Sequence, residues 1–328
     1  MVQPISPLLL NANDIVRVAP TLREIVDLVE STYLMGAQGE VEIPTKIGVH
    51  PHGPQSFLHA MPAWVAGANA LGMKWVSFFP GNAKNDLPIS SGLIVLNDPD
   101  SGLPVAIMEG MWITYARTAA CAAFVARSAA NPMPRKLGLI GCGGLGEWTL
   151  RCISEIFPSL DQVFVASERA ETRQAFCRSM SAYGAWKLQP VDQVRLAVEN
   201  MDIVVSSVPK LEKHPVKGEW LSPGTVMIPL DVTGSWDDAL YYLVDTIVCD
   251  HLSNLQAAFK RYRQNISIDE LRLVSIDEIV TKEKQARSSK QDRILAFMTG
   301  IGSLDMTLAW EIYRRALRQG LGTRFALT

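Results

Sequence analysis

The sequence predicts an α/β protein in two parts, a parallel sheet covered by helices on both faces and an α+β segment in front of it. Three observations carry this. From Lys136 onward, short apolar runs alternate with amphipathic stretches, which is the rhythm of βαβ units. Before Lys136, β-type runs separated by turn residues follow a single amphipathic helix. Residues Gly141 to Gly146 match GxGxxG and lie between a strand pattern and a helix pattern over 147–157. At 328 residues, 48% of them hydrophobic, the chain is long enough for two cores.

The elements follow in order. Thr21 after Pro20 caps a helix running to Met35, with Leu22, Ile25, Val26, Leu28, Val29 and Tyr33 mostly on one face. Strands are expected over 43–49, 57–64, 71–79, 93–96 and 105–108. Turns at His52-Gly53-Pro54, Pro80-Gly81-Asn82 and Asp98-Pro99-Asp100-Ser101-Gly102 separate them, so the sheet is antiparallel or mixed. An alanine-rich helix over 111–130 stops at Asn131-Pro132, and its small side chains suit it to bridging the two parts. Parallel strands are then expected over 137–140, 163–166, 203–207, 226–230 and 246–249. The polar stretch 282–293 reads as an exposed connection, and a last helix over 303–318 ends at Gly320.

Composition excludes several classes. Lys+Arg (31) nearly balances Asp+Glu (33), so no basic surface awaits a nucleic acid and no acidic tail is present. The longest apolar stretch, 105–126, is interrupted by Glu109 and Arg117 and does not cross a bilayer. Met1 to Leu10 has no basic region before Leu8-Leu9-Leu10, so a cytoplasmic protein is expected. Cys121, Cys142, Cys152, Cys177 and Cys249 form an odd, scattered set without CxxC, which suits a reducing compartment. His50, His52 and His59 lack a completing Cys or carboxylate, and no metal is expected.

The glycine motif defines a Rossmann-type dinucleotide loop. Gly141 permits the tight turn, Gly143 admits a pyrophosphate to backbone N–H groups, with Gly144 and Leu145 beside it, and Gly146 lets the helix pack on the strand. The next strand ends at Ser167-Glu168-Arg169, where an acid takes a ribose 2′-hydroxyl and an arginine a 2′-phosphate. The cofactor is NAD or NADP, with a lean to NADP from Arg169. Ser207 and Thr299 complete the expected cofactor contacts.

Further blocks are Met61-Pro62-Ala63, Gly72-Met73-Lys74-Trp75-Val76, Phe79-Pro80-Gly81-Asn82, Gly102-Leu103-Pro104 and Ile113-Thr114-Tyr115-Ala116-Arg117-Thr118-Ala119-Ala120. With the glycine loop, Pro223-Gly224, Asp231 and the closing Gly300 to Asp305, the chain resembles the ornithine cyclodeaminase/mu-crystallin family over nearly its whole length. The resemblance implies a substrate and dimerisation domain over 1–130, completed by 303–328, and an NAD(P)-binding domain over 131–302. It implies a homodimer and hydride transfer at the Cα–N bond of a small amino acid or its imine, as in an imine or ketimine reductase or an amino-acid dehydrogenase. Cyclodeamination of the ornithine type with catalytic NAD+ is an alternative, and an NADPH-binding protein with little turnover is another.

By motif position, Lys74 resembles the lysine beside the substrate carboxylate and reacting carbon, and Arg117 the arginine that reaches substrate or cofactor phosphate. Lys74 stands in an apolar run, where a lysine needs a buried partner or ligand. Asp231 resembles the catalytic aspartate. Here the chain departs from the family, with Ile228-Pro229-Leu230-Asp231-Val232-Thr233-Gly234 where an asparagine and a glycine-rich segment are usual. A register two residues away remains open, with Asp237 or Asp238 as helix caps. Lys46, in Pro44-Thr45-Lys46, stands where a Pro-x-Arg sequence is common, keeping the charge but losing the bidentate fork. Met298-Thr299-Gly300 replaces the usual serine-valine-glycine.

Overall fold

A computed structural model describes residues 5–53, 56–208, 216–263 and 265–327. The N-terminal run is therefore seen from Ile5 and the turn at His52-Gly53-Pro54 only to Gly53; the rest of both lies outside the described residues. Two compact units emerge, residues 1–117 with 300–328, and residues 118–299.

The first unit opens with β1 (Leu8–Leu10), α1 (Ala12–Val18) and α2 (Leu22–Ala37). Thr21 caps α2 as expected: its hydroxyl accepts from Glu24 N–H, and the Glu24 carboxylate accepts from Thr21 N–H. The single run expected over 43–49 is instead β2 (Val41–Glu42) and β3 (Ile47–Val49), with Pro44, which has no ladder donor, in the break. Then come β4 (Phe57–Val65), β5 (Ala70–Phe78), β6 (Ser90–Asn97) and β7 (Pro104–Glu109). Helix α3 (Met111–Ala129) is anchored by the Glu109 carboxylate, which accepts from Met111 N–H (2.6 Å) and Trp112 N–H (2.9 Å). The division between units falls within α3, after Arg117, rather than after residue 130, and at 299/300 rather than 302/303. A helix boundary is a backbone property, whereas unit membership follows packing, and the first two turns of α3 pack with the first unit.

The second unit contains β8 (Lys136–Ile140), α4 (Gly144–Ile156), β9 (Gln162–Ala166), α5 (Ala170–Met180), β10 (Lys187–Val191), β11 (Ile203–Ser206) and β12 (Val226–Pro229). It continues with α6 (Ala239–Leu243), β13 (Thr246–Cys249), α7 (Leu252–Tyr262), β14 (Leu273–Ser275), α8 (Ile276–Val280) and β15 (Ile294–Phe297). The sheet order is β10-β9-β8-β11-β12-β15-β13-β14, every ladder parallel. Five of these strands are legible in the sequence; β10, β14 and β15 are not. Strand β15 sits between β12 and β13, and all four of its residues are buried. The preceding polar stretch, expected to be exposed, is tied down in part: Arg287 donates to the carbonyls of Ala129, Gly224 and Asp292, and Ala286 is buried.

Helix α9 (Gly302–Gln319) and β16 (Thr323–Arg324) return to the first unit, where α9 packs on β4 and β5. Gly320 ends the helix in the left-handed region, φ 64°. The sheet runs β16-β1-β7-β6-β5-β4-β2, with β3 also paired to β4; β1 is parallel to β7 and the remaining ladders are antiparallel. This is the mixed sheet the turn signals predict. Among the described residues no helix is long and apolar enough to cross a membrane.

Candidate active site

In the second unit the carboxyl ends of adjacent strands gather most of the expected residues. Gly141 follows β8, Ser167 follows β9, Ser207 follows β11, Asp231 lies beyond β12, and Thr299 lies beyond β15. Helix α4 starts at Gly144 rather than at Glu147, because Gly143 is extended (φ −86°, ψ −177°) and its carbonyl already accepts from Glu147 N–H at 3.1 Å. Gly141 has φ 114°, and a Cβ there would lie 2.8 Å from the Ser207 carbonyl. A Cβ on Gly146 would stand 2.5 Å from the Gly141 carbonyl, whereas one on Gly143 would meet nothing within 4 Å. The first turn of α4 thus presents free N–H groups on an open side, which suits an anion. Ser207 Oγ is buried there with no hydrogen-bond partner among the described residues. Loop and orphan hydroxyl together fit a pyrophosphate. Gly146→Ala is accordingly expected to weaken NADH binding at least tenfold in a fluorescence titration, with an unchanged circular dichroism spectrum.

The remaining expected cofactor positions differ in availability. Ser167 is partly exposed, Glu168 and Arg169 are exposed, and Arg169 precedes α5. Arg173 Nη1 donates to the Ser167 carbonyl at 3.1 Å. Cys142 keeps its thiol against the Ala166 carbonyl (3.8 Å), and burial pushes its pKa up to about 11. Thr299 N–H and Oγ1 both donate to Asp250 Oδ1, at 2.9 and 2.8 Å, so its hydroxyl is committed within the unit.

Asp231 is held by hydroxyls. Ser206 Oγ donates to Oδ1 (3.1 Å), Ser235 Oγ to Oδ2 (2.6 Å), and Trp236 Nε1 donates in turn to Ser206 Oγ (3.0 Å). Burial raises its pKa, and the two serine hydroxyls offset only part of the rise. The next residues, Val232 (φ 54°) and Thr233 (φ 59°), are β-branched yet left-handed, a strain on the order of 1–3 kcal/mol each. Arg263 clamps this loop, its Nη2 donating to the carbonyls of Thr233 (2.6 Å) and Trp236 (2.8 Å). The competing carboxylates are occupied elsewhere: Asp238 pairs with Arg263 Nη1 (3.0 Å), and Asp237 accepts from Gly218 N–H (2.9 Å). Neither caps a helix through its side chain.

The first unit carries a buried charge cluster. Lys74, 1% exposed, points from β5 to Asp305 on α9, with Nζ 2.7 Å from Oδ2. Arg117 on α3 donates from Nε to Asp305 Oδ1 at 2.8 Å. Gly300 (φ 71°) admits this guanidinium, since a Cβ there would lie 2.6 Å from Nη1. Burial, then the charge of Arg117, lowers the Lys74 pKa to about 7 against the pull of Asp305. Burial pushes Asp305 upward, but Arg117 and Lys74 outweigh it and hold the carboxyl below its usual range. Lys46, partly exposed in the loop before β3, adds to the field lowering the Lys74 pKa. Two cations share one carboxylate, so below about pH 7, where Lys74 keeps its proton, the cluster carries surplus positive charge that would suit an anionic ligand. The structure thus brings Lys74 and Arg117 together through Asp305, a residue absent from the expected site. Its sequence signals were its place at the end of the Gly300 to Asp305 block and an aspartate between Leu304 and Met306 on an apolar helix face. His50 and His59 meet edge to face at 5.6 Å, and among the described residues no metal-ligand cluster forms.

An all-parallel sheet with a glycine phosphate loop, in a chain whose other unit buries a net-cationic cluster, defines a protein of the two-unit dinucleotide-fold class. The chain belongs to the ornithine cyclodeaminase/mu-crystallin family, which matches residues 7–320. It is 28% identical to nodulation efficiency protein NfeD of Rhizobium meliloti over 96% of this chain and 97% of that protein. It is 26% identical to alanine dehydrogenase of Archaeoglobus fulgidus over 93% and 94% of the two chains. The solved structure of Thermococcus litoralis Δ1-pyrroline-2-carboxylate reductase, in complex with NADH and L-proline, superposes with a TM-score of 0.88 at 25% identity, covering 96% of this chain and 99% of that one.

Proposed function

We propose that this protein is an NAD(H)-dependent oxidoreductase acting at the Cα–N bond of a small amino acid or its imine, as an imine reductase or amino-acid dehydrogenase. The observation that carries the reading is the surplus positive charge of the Lys74–Asp305–Arg117 cluster, in a chain whose other unit holds the glycine loop. Lys74 and Arg117, with Lys46, hold the substrate carboxylate. N–H groups of Gly143, Gly144 and Leu145 and the Ser207 hydroxyl hold the pyrophosphate, and Ser167 and Glu168 take the ribose. Bound NAD(H) supplies the hydride chemistry. Asp231, with its pKa raised by burial, exchanges a proton with the substrate nitrogen. The lean to NADP has no counterpart in the Thermococcus enzyme, which holds NADH, so NADPH serves as the control.

An NADH- and NADPH-linked screen of amino acids and imines, with ammonia measured in parallel, tests this. Net oxidation or reduction supports it; a cyclic imino acid and ammonia from ornithine without net NADH overturns it. A pH effect also follows. Only the ammonium form of Lys74 attracts a carboxylate, and its free pKa is about 7. Carboxylate binding raises that pKa, so affinity is expected to be level below about pH 7 and to fall up to tenfold per pH unit above it. Calorimetry across pH 6–9 measures this.

A homodimer belongs to the same reading. The sheet face away from α9 exposes Ile47 (63%), Val49 (57%), Leu93 (51%) and Trp75 (42%). So apolar an exposed face suits a second copy of the chain. Light scattering is expected to give twice the chain mass, and Trp75→Glu a monomer.

A further inference from the structure

We propose that the strip of the first-unit sheet just beyond Lys74 selects the substrate side chain, admitting apolar or flat groups and rejecting one that ends in an ammonium. This rests on the reading that the Lys74 cluster holds the substrate carboxylate. Side chains two apart on a strand share a face. The cross-strand pairs Met61↔Lys74, His59↔Val76 and Phe57↔Phe78 therefore succeed one another along the face that carries Lys74. Toward Met61 and Gly72 that face is closed by α9: a Cβ on Gly302 would sit 2.9 Å from the Met61 carbonyl, and one on Gly72 would sit 3.0 Å from Met306 Sδ. In the other direction Val76, His59, Phe57 and Phe78 are all partly exposed.

Val76 and His59 lie one pair beyond Lys74, about 7 Å along the strands, within reach of the side chain of an amino acid whose carboxylate is at Nζ. The surface there is largely aromatic. The His59 ring stacks on Phe57 (4.2 Å, 17°), and Phe57 stacks on Phe78 (5.6 Å, 22°). Gly48, opposite His59, leaves room for that imidazole, because a Cβ would collide with His59 Cδ2. The positions of β3 to β6 that share this face contain no Asp or Glu. A second ammonium would find no carboxylate at these positions and would give up its hydration against the aromatic rings without a partner to replace it.

Norvaline and ornithine have the same chain length and differ by the terminal amine, so they form the probe pair, titrated calorimetrically into NADH-loaded protein. Wild type is expected to bind norvaline at least about tenfold tighter than ornithine. His59→Glu is expected to shift that ratio at least about tenfold toward ornithine, while His59→Gln leaves it near wild type. Phe57→Glu gives a second route to the same shift if His59→Glu fails to fold. Tighter ornithine binding in wild type, or an unchanged ratio in both acidic variants, overturns the proposal. Lys74→Met separates the two levels. If it leaves norvaline affinity intact, the carboxylate reading falls and takes the proposal with it. If it abolishes binding while the acidic variants leave the ratio unchanged, only the side-chain proposal falls.

Discussion

Lys74→Met is expected to lower carboxylate affinity by roughly 30- to 1000-fold, or ~2–4 kcal/mol, while leaving the protein folded. Methionine retains most of the apolar stem that fills the site under α9 and removes the ammonium. In the variant Asp305 keeps Arg117 Nε at 2.8 Å, so one cation faces one carboxylate and the buried charge balances. What disappears is the surplus that attracts a ligand anion. The decline of affinity above pH 7 should vanish with it, since Lys74 is the group titrating there. Calorimetry for affinity and thermal melting for stability check both halves, and a variant that binds as wild type does would remove Lys74 from the site.

Asp305→Asn is expected to have the opposite profile, a large loss of stability of about 3–5 kcal/mol. It leaves Lys74 and Arg117 buried without their shared carboxylate. Lys74 has a partial escape, because it can release its proton. Its folded pKa of about 7 already lies below the unfolded value of 10.5, so the unfolded chain binds more protons between the two, and stability rises with pH through that window. Removing Asp305 lowers the folded pKa further. Below about pH 7 wild-type Lys74 holds its proton against the burial penalty with the help of Asp305, and the variant lacks that help. Above pH 7 both proteins carry a neutral Lys74, and only the Arg117 pairing is lost. The deficit in denaturant midpoint should therefore be larger at pH 6 than at pH 9. A pH-independent loss would show that Lys74 does not titrate in the folded state.

The contrast between the two units explains what could be read in advance. The glycine loop was legible because each glycine answers a local demand: a left-handed turn at Gly141, close packing at Gly146, open space at Gly143. The capping box at Thr21 and Glu24 is likewise a contact three residues long. Strands β10 and β14 were missed because an edge position leaves little apolar pattern; β10 reads Lys-Leu-Gln-Pro-Val. Strand β15 was missed for another reason. Four apolar residues after a polar stretch suit strand or helix equally until the gap between β12 and β13 is known. The start of α4 was placed three residues late because glycines were read as loop, although Gly144 and Gly146 are helical.

The same division holds for the candidate site. The sequence by itself determined that Lys74 stands in a buried run and must have a partner, and that Arg117 lies on a packed helix. Hydrophobic period and the cost of burying a charge suffice for that. Only the tertiary structure decided who the partner is. Asp305 lies 188 residues beyond Arg117, on a helix that returns from the far end of the chain to cover β4 and β5. No local pattern encodes that pairing, because it exists only once α9 has docked. The depressed pKa of Lys74, the balance of two cations against one carboxylate, and the strip from Val76 to Phe78 left uncovered beside them all follow from where that helix lies.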